Sequence, residues 1–254
     1  MATLIIELLG EHTSYVEPFG GSAAVLLQKP ETPIEVYNDL NLDVVTFFRV
    51  LRDSPLKLLE QIEATPFSRV EYLKSCMPAT SDGVSDIEQA RLFFIRSWQG
   101  FSGSATQKRN GWRYQQRIYR NRMPKCHLDW DNLDRLEAAA VRMRRVQIEC
   151  EDALQVIKRF AGPSTVFYVD PPYPSTTRSK QWGRDAYTFE MRDSDHTLLL
   201  NLLRKVEGHV ILSCYDSALY KHHLQGWKMK EVKTVNNRGT PASEYLWIKP
   251  HGCP

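Results

Sequence analysis

Apolar positions in this chain follow two periods, and the places where one replaces the other outline the expected fold. Tyr15-Val16-Glu17 ends a short run of strand length, and Gly20-Gly21 follows it. A helix is predicted to begin near Ser22 and run through Ala23-Ala24-Val25-Leu26-Leu27. Ile34-Glu35-Val36-Tyr37 predicts a second strand ending at Asn38-Asp39. From about Leu42 to Leu51, Val44, Val45, Phe47, Phe48 and Leu51 recur at helical spacing. This order is the first half of a doubly wound α/β sheet. From Pro55 to about Arg145 the period is helical, with segments at Ile87–Trp98 and Asn132–Met143. Strand periodicity resumes at Val146-Gln147-Ile148, followed by a helix from Asp152 to Phe160. Thr165–Val169 and His209–Ser213 are continuous apolar runs, as strands buried on both faces require. Met229–Val235 and Glu244–Ile248 predict a closing antiparallel pair around an Asn237-Arg238-Gly239 turn. The expected organisation is one α/β unit, residues 1–54 and 146–254, interrupted by an inserted region, residues 55–145.

The strand at Thr165–Val169 ends on Asp170-Pro171-Pro172-Tyr173. Neither proline has a backbone N–H, and Pro172 holds Pro171 in extended geometry. A carboxylate and a free Pro171 carbonyl thus lie beside a flat aromatic ring. Two acceptors and a stacking surface suit a planar amine, such as the exocyclic amino group of a nucleobase. A plain Pro-rich turn accounts for this pattern poorly at the end of a central parallel strand, where open α/β sheets bind ligands.

Charge adds a second site. The chain carries a net charge of +3, yet Gln89 to Leu128 contains no Asp or Glu. That stretch holds nine cations: Arg91, Arg96, Lys108, Arg109, Arg113, Arg117, Arg120, Arg122 and Lys125. Subtracting nine charges from +3 leaves the rest of the chain at −6. One basic segment in an otherwise acidic protein points to a polyanion bound at one place. Trp98, Phe101, Trp112, Tyr114 and Tyr119 interleave the cations, and Asn110-Gly111 between Lys108-Arg109 and Trp112-Arg113-Tyr114 is a two-residue hairpin signal. Phosphate contacts with aromatic or hairpin insertion suit a reader of duplex DNA.

Glu17-Pro18-Phe19-Gly20-Gly21-Ser22 reads either as a tight strand-to-helix turn or as a ligand loop. Asp39 ends the next strand about 20 residues on, the spacing at which a carboxylate meets a ribose diol. The loop lacks GxGxxG, and Glu17 would repel a pyrophosphate. A nucleoside with a cationic tail fits better, and S-adenosyl-L-methionine is such a ligand. Asp152 suits either a helix N-cap or acceptance of a hydrogen bond from an adenine amine. His196, His222 and His223 read as helix-surface residues. Five scattered cysteines with no CxxC spacing indicate neither a disulfide framework nor a metal site, and the reading is of a reducing cytoplasm. Glu7 breaks the Leu4-Ile5-Ile6 run, so no signal peptide is expected. Nothing approaches 18 consecutive apolar residues.

The order of Glu17-Pro18-Phe19-Gly20-Gly21, Tyr37-Asn38-Asp39-Leu40-Asn41, the basic insertion and Asp170-Pro171-Pro172-Tyr173 resembles a known family. It is similar to the D12-class N6-adenine-specific DNA methyltransferases, in the Dam-like form common in phages and prophages. The resemblance covers nearly the whole chain. It implies a Rossmann-like S-adenosylmethionine-dependent methyltransferase sheet, with the insertion as target-recognition region and bacterial cytoplasm as location. It further implies that Glu17, Pro18, Phe19, Gly20 and Gly21 line the methionine side of the cofactor, Asp39 binds its ribose and Asp152 its adenine. Asp170, shared with the cofactor site, and Pro171 would hold the target amine, with Pro172 and Tyr173 completing the catalytic tetrapeptide. Lys108, Arg109, Asn110, Trp112, Arg113, Arg117, Arg120 and Arg122 would contact duplex DNA, and a cognate restriction endonuclease is a possible partner. No metal is implied. The family's Gly-Gly-Lys element before the first strand is absent: 16 residues precede Glu17 and the first lysine is Lys29. The expectation is a start lying upstream or a member without that element. The same amine chemistry suits N4 of cytosine, and a DNA-binding relic that does not methylate is the reading from another class.

Overall fold

A computed structural model describes residues 1–77, 83–100, 111–114, 130–174, 189–235 and 241–250. Lys108, Arg109, Asn110, Arg117, Arg120, Arg122 and Lys125 lie outside the described residues, as does the expected turn at 237–239. In chain order the elements are α1 (Ala2–Leu8), β1 (Ser14–Glu17), β2 (Ile34–Asn38), α2 (Leu42–Asp53), α3 (Pro55–Glu63), α4 (Arg69–Ser75) and α5 (Asp86–Gln99). There follow α6 (Asp134–Met143), β3 (Gln147–Glu149), α7 (Ala153–Arg159), β4 (Thr165–Val169) and α8 (Asp193–Lys205). The chain closes with β5 (His209–Cys214), α9 (Ala218–His223), β6 (Lys228–Val235) and β7 (Pro241–Ile248). Two compact units form: residues 1–41 with 146–254, and residues 42–145. The division falls before α2, whereas the sequence pattern placed it after that helix.

The first unit is a seven-stranded sheet in the order β3-β2-β1-β4-β5-β7-β6. The strands β3, β2, β1, β4 and β5 are parallel, and β7 runs antiparallel to both its neighbours. This is the Rossmann-like α/β sheet the pattern predicted. Strand order reverses between β1 and β4, so the carboxyl ends of these two strands flank the topological switch point.

Side chains alternate between the two faces of each strand, and the registers make the faces chemically different. Val16, Val36, Phe167, Val169, Val210, Leu212, Cys214 and Trp247 share a core with Val156 and Ile157 of α7, Leu199, Leu200 and Leu203 of α8, and Tyr220 of α9. The opposite face carries Tyr15 and Glu17 beside Glu35 and Tyr37, with Tyr168 on β4 and Ser213 on β5. All six are buried. Lys29 is buried over this face, 2.6 Å from Glu35 and 4.7 Å from the Tyr15 ring centroid. Helix α1 was not predicted; its Leu8 carbonyl hydrogen-bonds His209 Nε2 (3.2 Å) and Ile5 is fully buried.

Two sequence expectations fail in this unit. Residues 21–28 form a chain of turns rather than a helix. Ala23 has φ +53°, which a right-handed helix excludes, and the Leu26 N–H donates to Glu17 Oε1 (2.8 Å) instead of to a carbonyl one turn back. His196 is fully buried rather than on a helix surface, with Nδ1 2.9 Å from the Tyr220 hydroxyl. It shares the apolar stripe of Leu199, Leu200 and Leu203, a spacing of three, four and seven.

In the second unit Phe47 of α2 packs on Phe93 and Phe94 of α5 at 5.4 and 6.1 Å between centroids. Two members of the basic segment meet acids of other helices, Glu71 of α4 and Asp43 of α2. Arg91 pairs with Glu88 (2.6 Å) and Glu71 (3.0 Å), and Arg96, 8% exposed, pairs with Asp43 (2.6 Å). These two cations hold helices together and are withdrawn from the polyanion reading.

Candidate active site

Four acids stand at the carboxyl ends of four adjacent parallel strands: Glu17 on β1, and Asp39, Asp152 and Asp170 just beyond β2, β3 and β4. Glu17 is 2% exposed and its Oε1 accepts from the Tyr15 hydroxyl (2.7 Å) and the Leu26 N–H (2.8 Å). Burial pushes its carboxyl up to about 7 against those two hydrogen bonds, and the Asp170 charge adds to the rise while Lys29 opposes it. The acid therefore shapes the loop that follows it.

That loop fits tightly. Gly20 donates its N–H to the Asn38 carbonyl (2.7 Å), and a Cβ at Gly20 would lie 2.1 Å from the Tyr37 ring. The Tyr37 hydroxyl donates to the Gly21 carbonyl (2.7 Å), and Gly21 has φ +48°. Asp39 receives the Gly21 N–H on Oδ2 (2.9 Å) and the Asn41 N–H on Oδ1 (2.8 Å). Its carboxyl is raised by burial, and these two amides pull the other way. Each carboxylate oxygen keeps a second lone pair for a ligand.

Asn38, not singled out from the sequence, ties two ligand loops together. Its Nδ2 donates to the Pro18 carbonyl (2.8 Å) and the Glu151 carbonyl (3.0 Å), and its Oδ1 accepts the Glu151 N–H (2.9 Å). An interior Asn flanked by a tyrosine and an acid at a strand end is the one sequence signal that marked it. Asp152 caps α7 by accepting from Leu154 N–H (2.9 Å) and Gln155 N–H (3.3 Å) on Oδ1. It remains exposed, so a ligand still has access to Oδ2.

Asp170 closes the row. Among the described residues its Oδ1 is shut off from solvent and has no hydrogen-bond partner, while the Tyr168 hydroxyl lies 3.5 Å from Oδ2. Burial pushes the carboxyl up to about 6; hydrogen bonding from Tyr173 and Tyr168 opposes this, and the Glu244 charge adds to it. Pro171 is buried and Pro172 half-buried. The Tyr173 ring packs against Tyr215 at 4.4 Å between centroids, and its hydroxyl is 3.4 Å from Ser213 Oγ. Phe19 packs at the edge of the core beneath. An unpaired, solvent-excluded carboxylate oxygen costs free energy until a donor reaches it, so Oδ1 has acceptor capacity left for an N–H group.

Of the expected DNA contacts, Trp112 and Arg113 are described. Trp112 donates from Nε1 to Gln99 Oε1 (3.3 Å) and stacks with Tyr114 (5.9 Å, 12°), and the Arg69 guanidinium lies 5.0 and 5.2 Å from their centroids. Tyr114 is 48% exposed. Arg113 donates its N–H to the Gln99 carbonyl (2.7 Å). Arg69, outside the acid-free stretch, was not singled out from the sequence. Among the described residues no cluster of His, Cys, Asp or Glu could hold a metal ion, and no helix is long and apolar enough to cross a membrane.

Comparison with known proteins agrees with this arrangement. The family model described as D12 class N6 adenine-specific DNA methyltransferase matches residues 1–237. The Type II methyltransferase M.MjaIII of Methanocaldococcus jannaschii is 21% identical over 263 residues, spanning 94% of this chain and 87% of the relative. A solved SAM-dependent methyltransferase from Agrobacterium tumefaciens aligns over 97% of this chain with a TM-score of 0.37 and 10% identity. The chain spans 58% of that structure's length, a likeness too slight to build on.

Proposed function

This chain belongs to the family of D12 class N6 adenine-specific DNA methyltransferases, and we propose that it methylates N6 of an adenine flipped out of duplex DNA. S-adenosyl-L-methionine is the methyl donor that membership implies, and when bound it supplies an electrophilic methyl group on a sulfonium. The residues present fit it. Acids stand at adjacent strand ends where a ribose diol and an adenine amine need acceptors: Asp39 keeps a lone pair on each oxygen beside the Gly21 and Asn41 amides, and Asp152 keeps Oδ2. In this reading Glu17 to Gly21 line the methionine side, Asp39 holds the ribose and Asp152 the adenine.

One observation carries the proposal: the buried Asp170 Oδ1 without a partner. Adenine N6 is a weak nucleophile because its lone pair is delocalised into the ring. Accepting one N6 hydrogen at Asp170 and the other at the Pro171 carbonyl favours a tetrahedral nitrogen with its lone pair directed away from both. The pocket's contribution is then alignment and electrostatics for a direct in-line transfer. Flipping costs a few kcal/mol, and stacking on Tyr173 offsets part of this, by about 1–3 kcal/mol. Duplex DNA is held by the basic segment, and the relative's Type II designation makes a cognate restriction endonuclease the proposed partner.

The test is methyl transfer by purified protein. We expect N6-methyladenine in nucleosides digested from treated duplex DNA, and none above background with Asp170→Ala, whose fold stays intact by circular dichroism. N4-methylcytosine instead, or full activity in Asp170→Ala, overturns the reading.

A further inference from the structure

A line of rings leads from the core of the second unit to its surface. Phe94, 1% exposed, lies 5.4 Å from Trp130, Trp130 lies 6.1 Å from Phe67, and Phe67 lies 5.4 Å from Trp112, all between centroids. Tyr114, nearly parallel to Trp112, ends the line and is exposed. Gln99 fixes the base of this stack. It is fully buried, and its Oε1 accepts from the Ser68 N–H (3.1 Å) and from Trp112 Nε1 (3.3 Å). Its Nε2 donates to the Pro66 carbonyl (3.2 Å), and its own carbonyl accepts the Arg113 N–H (2.7 Å). One residue thereby holds segment 66–68 against segment 112–113, and Arg69 is set with its guanidinium 5.0 and 5.2 Å from the Trp112 and Tyr114 centroids.

Arg69 is exposed, and among the described residues no acid pairs with it. Glu71, the acid nearest in sequence, is taken by Lys74 and Arg91, each at 3.0 Å. Nor does α4 account for a cation at its first residue, because a positive charge in the first turn opposes the helix dipole. The two rings restrain the guanidinium without consuming its N–H donors as a carboxylate would. A side chain already restrained loses less freedom when it meets an anion, and the planar fork of arginine matches two phosphate oxygens.

We propose that Arg69 is a phosphate contact for duplex DNA, braced for that contact by the Trp112–Tyr114 stack. The inference rests on the reading of duplex DNA as substrate, and it adds to the basic segment a cation from α4. A phosphate contact carries no sequence information, so its loss falls equally on every duplex. Tyr114 acts through Arg69 as a positioning residue.

The test is fluorescence anisotropy with labelled duplex oligonucleotides across a salt series, without cofactor. Arg69→Ala should make the slope of log affinity against log salt shallower by about one and weaken binding roughly tenfold at about 0.1 M salt, with circular dichroism unchanged. Arg69→Lys, which keeps the charge, should retain the wild-type slope. Arg49→Ala removes another exposed cation of the same unit, one already paired with Asp86 (2.8 Å), and should change neither quantity. Tyr114→Ala should weaken binding in the wild-type background and add nothing in the Arg69→Ala background. A wild-type slope in Arg69→Ala, an equal change in Arg49→Ala, additive losses at Arg69 and Tyr114, or a loss confined to one duplex sequence overturns the inference. A wild-type chain that binds no duplex DNA counts against the proposed function as well, whereas wild-type binding with an unmoved Arg69→Ala slope counts against this inference alone.

Discussion

At the scale of single residues, Gly20 has no space for a side chain, because a methyl group there would sit inside the Tyr37 ring. Gly20→Ala must displace that ring and with it the Tyr37 hydrogen bond to the Gly21 carbonyl. We expect a loss of about 1–3 kcal/mol in stability and at least roughly tenfold in affinity for S-adenosylmethionine, read by denaturation and calorimetric titration. Glu17 gives a pH prediction. Its carboxyl is raised in the folded protein to about 7, so folding takes up a proton that the unfolded chain does not hold between about pH 4.5 and 7. Stability from this group is present below the unfolded value and is lost as pH rises through 7. Glu17→Gln keeps an oxygen for Tyr15 and Leu26 but has nothing to ionise. Melting curves from pH 4 to 8 should therefore fall in the wild type and flatten in the variant, a difference of up to about 3 kcal/mol. Equal slopes would place the proton elsewhere.

Among elements, the short parallel strands β1 to β4 supply the acids at their carboxyl ends, and the segments between them hold those acids in place. The buried pair Lys29–Glu35 anchors the turns after β1 to the start of β2. Removing the Lys29 ammonium takes away the charge 2.6 Å from the buried Glu35 carboxylate and leaves it the Thr32 hydrogen bonds, so Lys29→Met should cost about 3–5 kcal/mol, and adding Glu35→Gln should recover much of it. Urea denaturation of Lys29→Met, Glu35→Gln and the double variant decides this; additive losses would deny the coupling. Helix α7 depends on Asp152 at its N-cap, and Asp152→Ala should cost about 1 kcal/mol. A simultaneous fall in cofactor affinity, absent in variants elsewhere on α7, would separate an adenine contact from a cap alone.

For the whole molecule, an acidic unit and a basic inserted region give a chain of small net charge whose excess cations are concentrated in one segment, the arrangement the DNA-binding proposal uses. If about 4–6 phosphates are contacted, log affinity for duplex DNA should fall with log salt at a slope of about −4 to −5. Arg113→Ala should reduce the slope by about one. Arg91→Ala should leave it unchanged while lowering stability, because Arg91 is committed to Glu71 and Glu88. A slope near zero would remove the basic segment from DNA binding.

Strand positions, sheet class and the acids at the strand ends were legible in the sequence. They follow from local rules: apolar runs of strand length, turn residues, and prolines that stop a ladder after Val169. The Asp170 tetrapeptide could be read for the same reason, since two prolines and an acid have few structural uses there. What contacts distant in sequence decide was not legible. The segment after Gly21 has helical composition, yet the buried Glu17 takes the Leu26 amide and the turns prevail. Arg91 and Arg96 lie in a stretch without acids, yet they meet acids from other helices. Asn38 has only a faint local signature, because its bonds to the Pro18 and Glu151 backbone arise from strands that become neighbours only when the sheet is assembled. Periodicity is a property of adjacent residues and survives in the bare chain; partners for buried polar groups are chosen by the folded sheet.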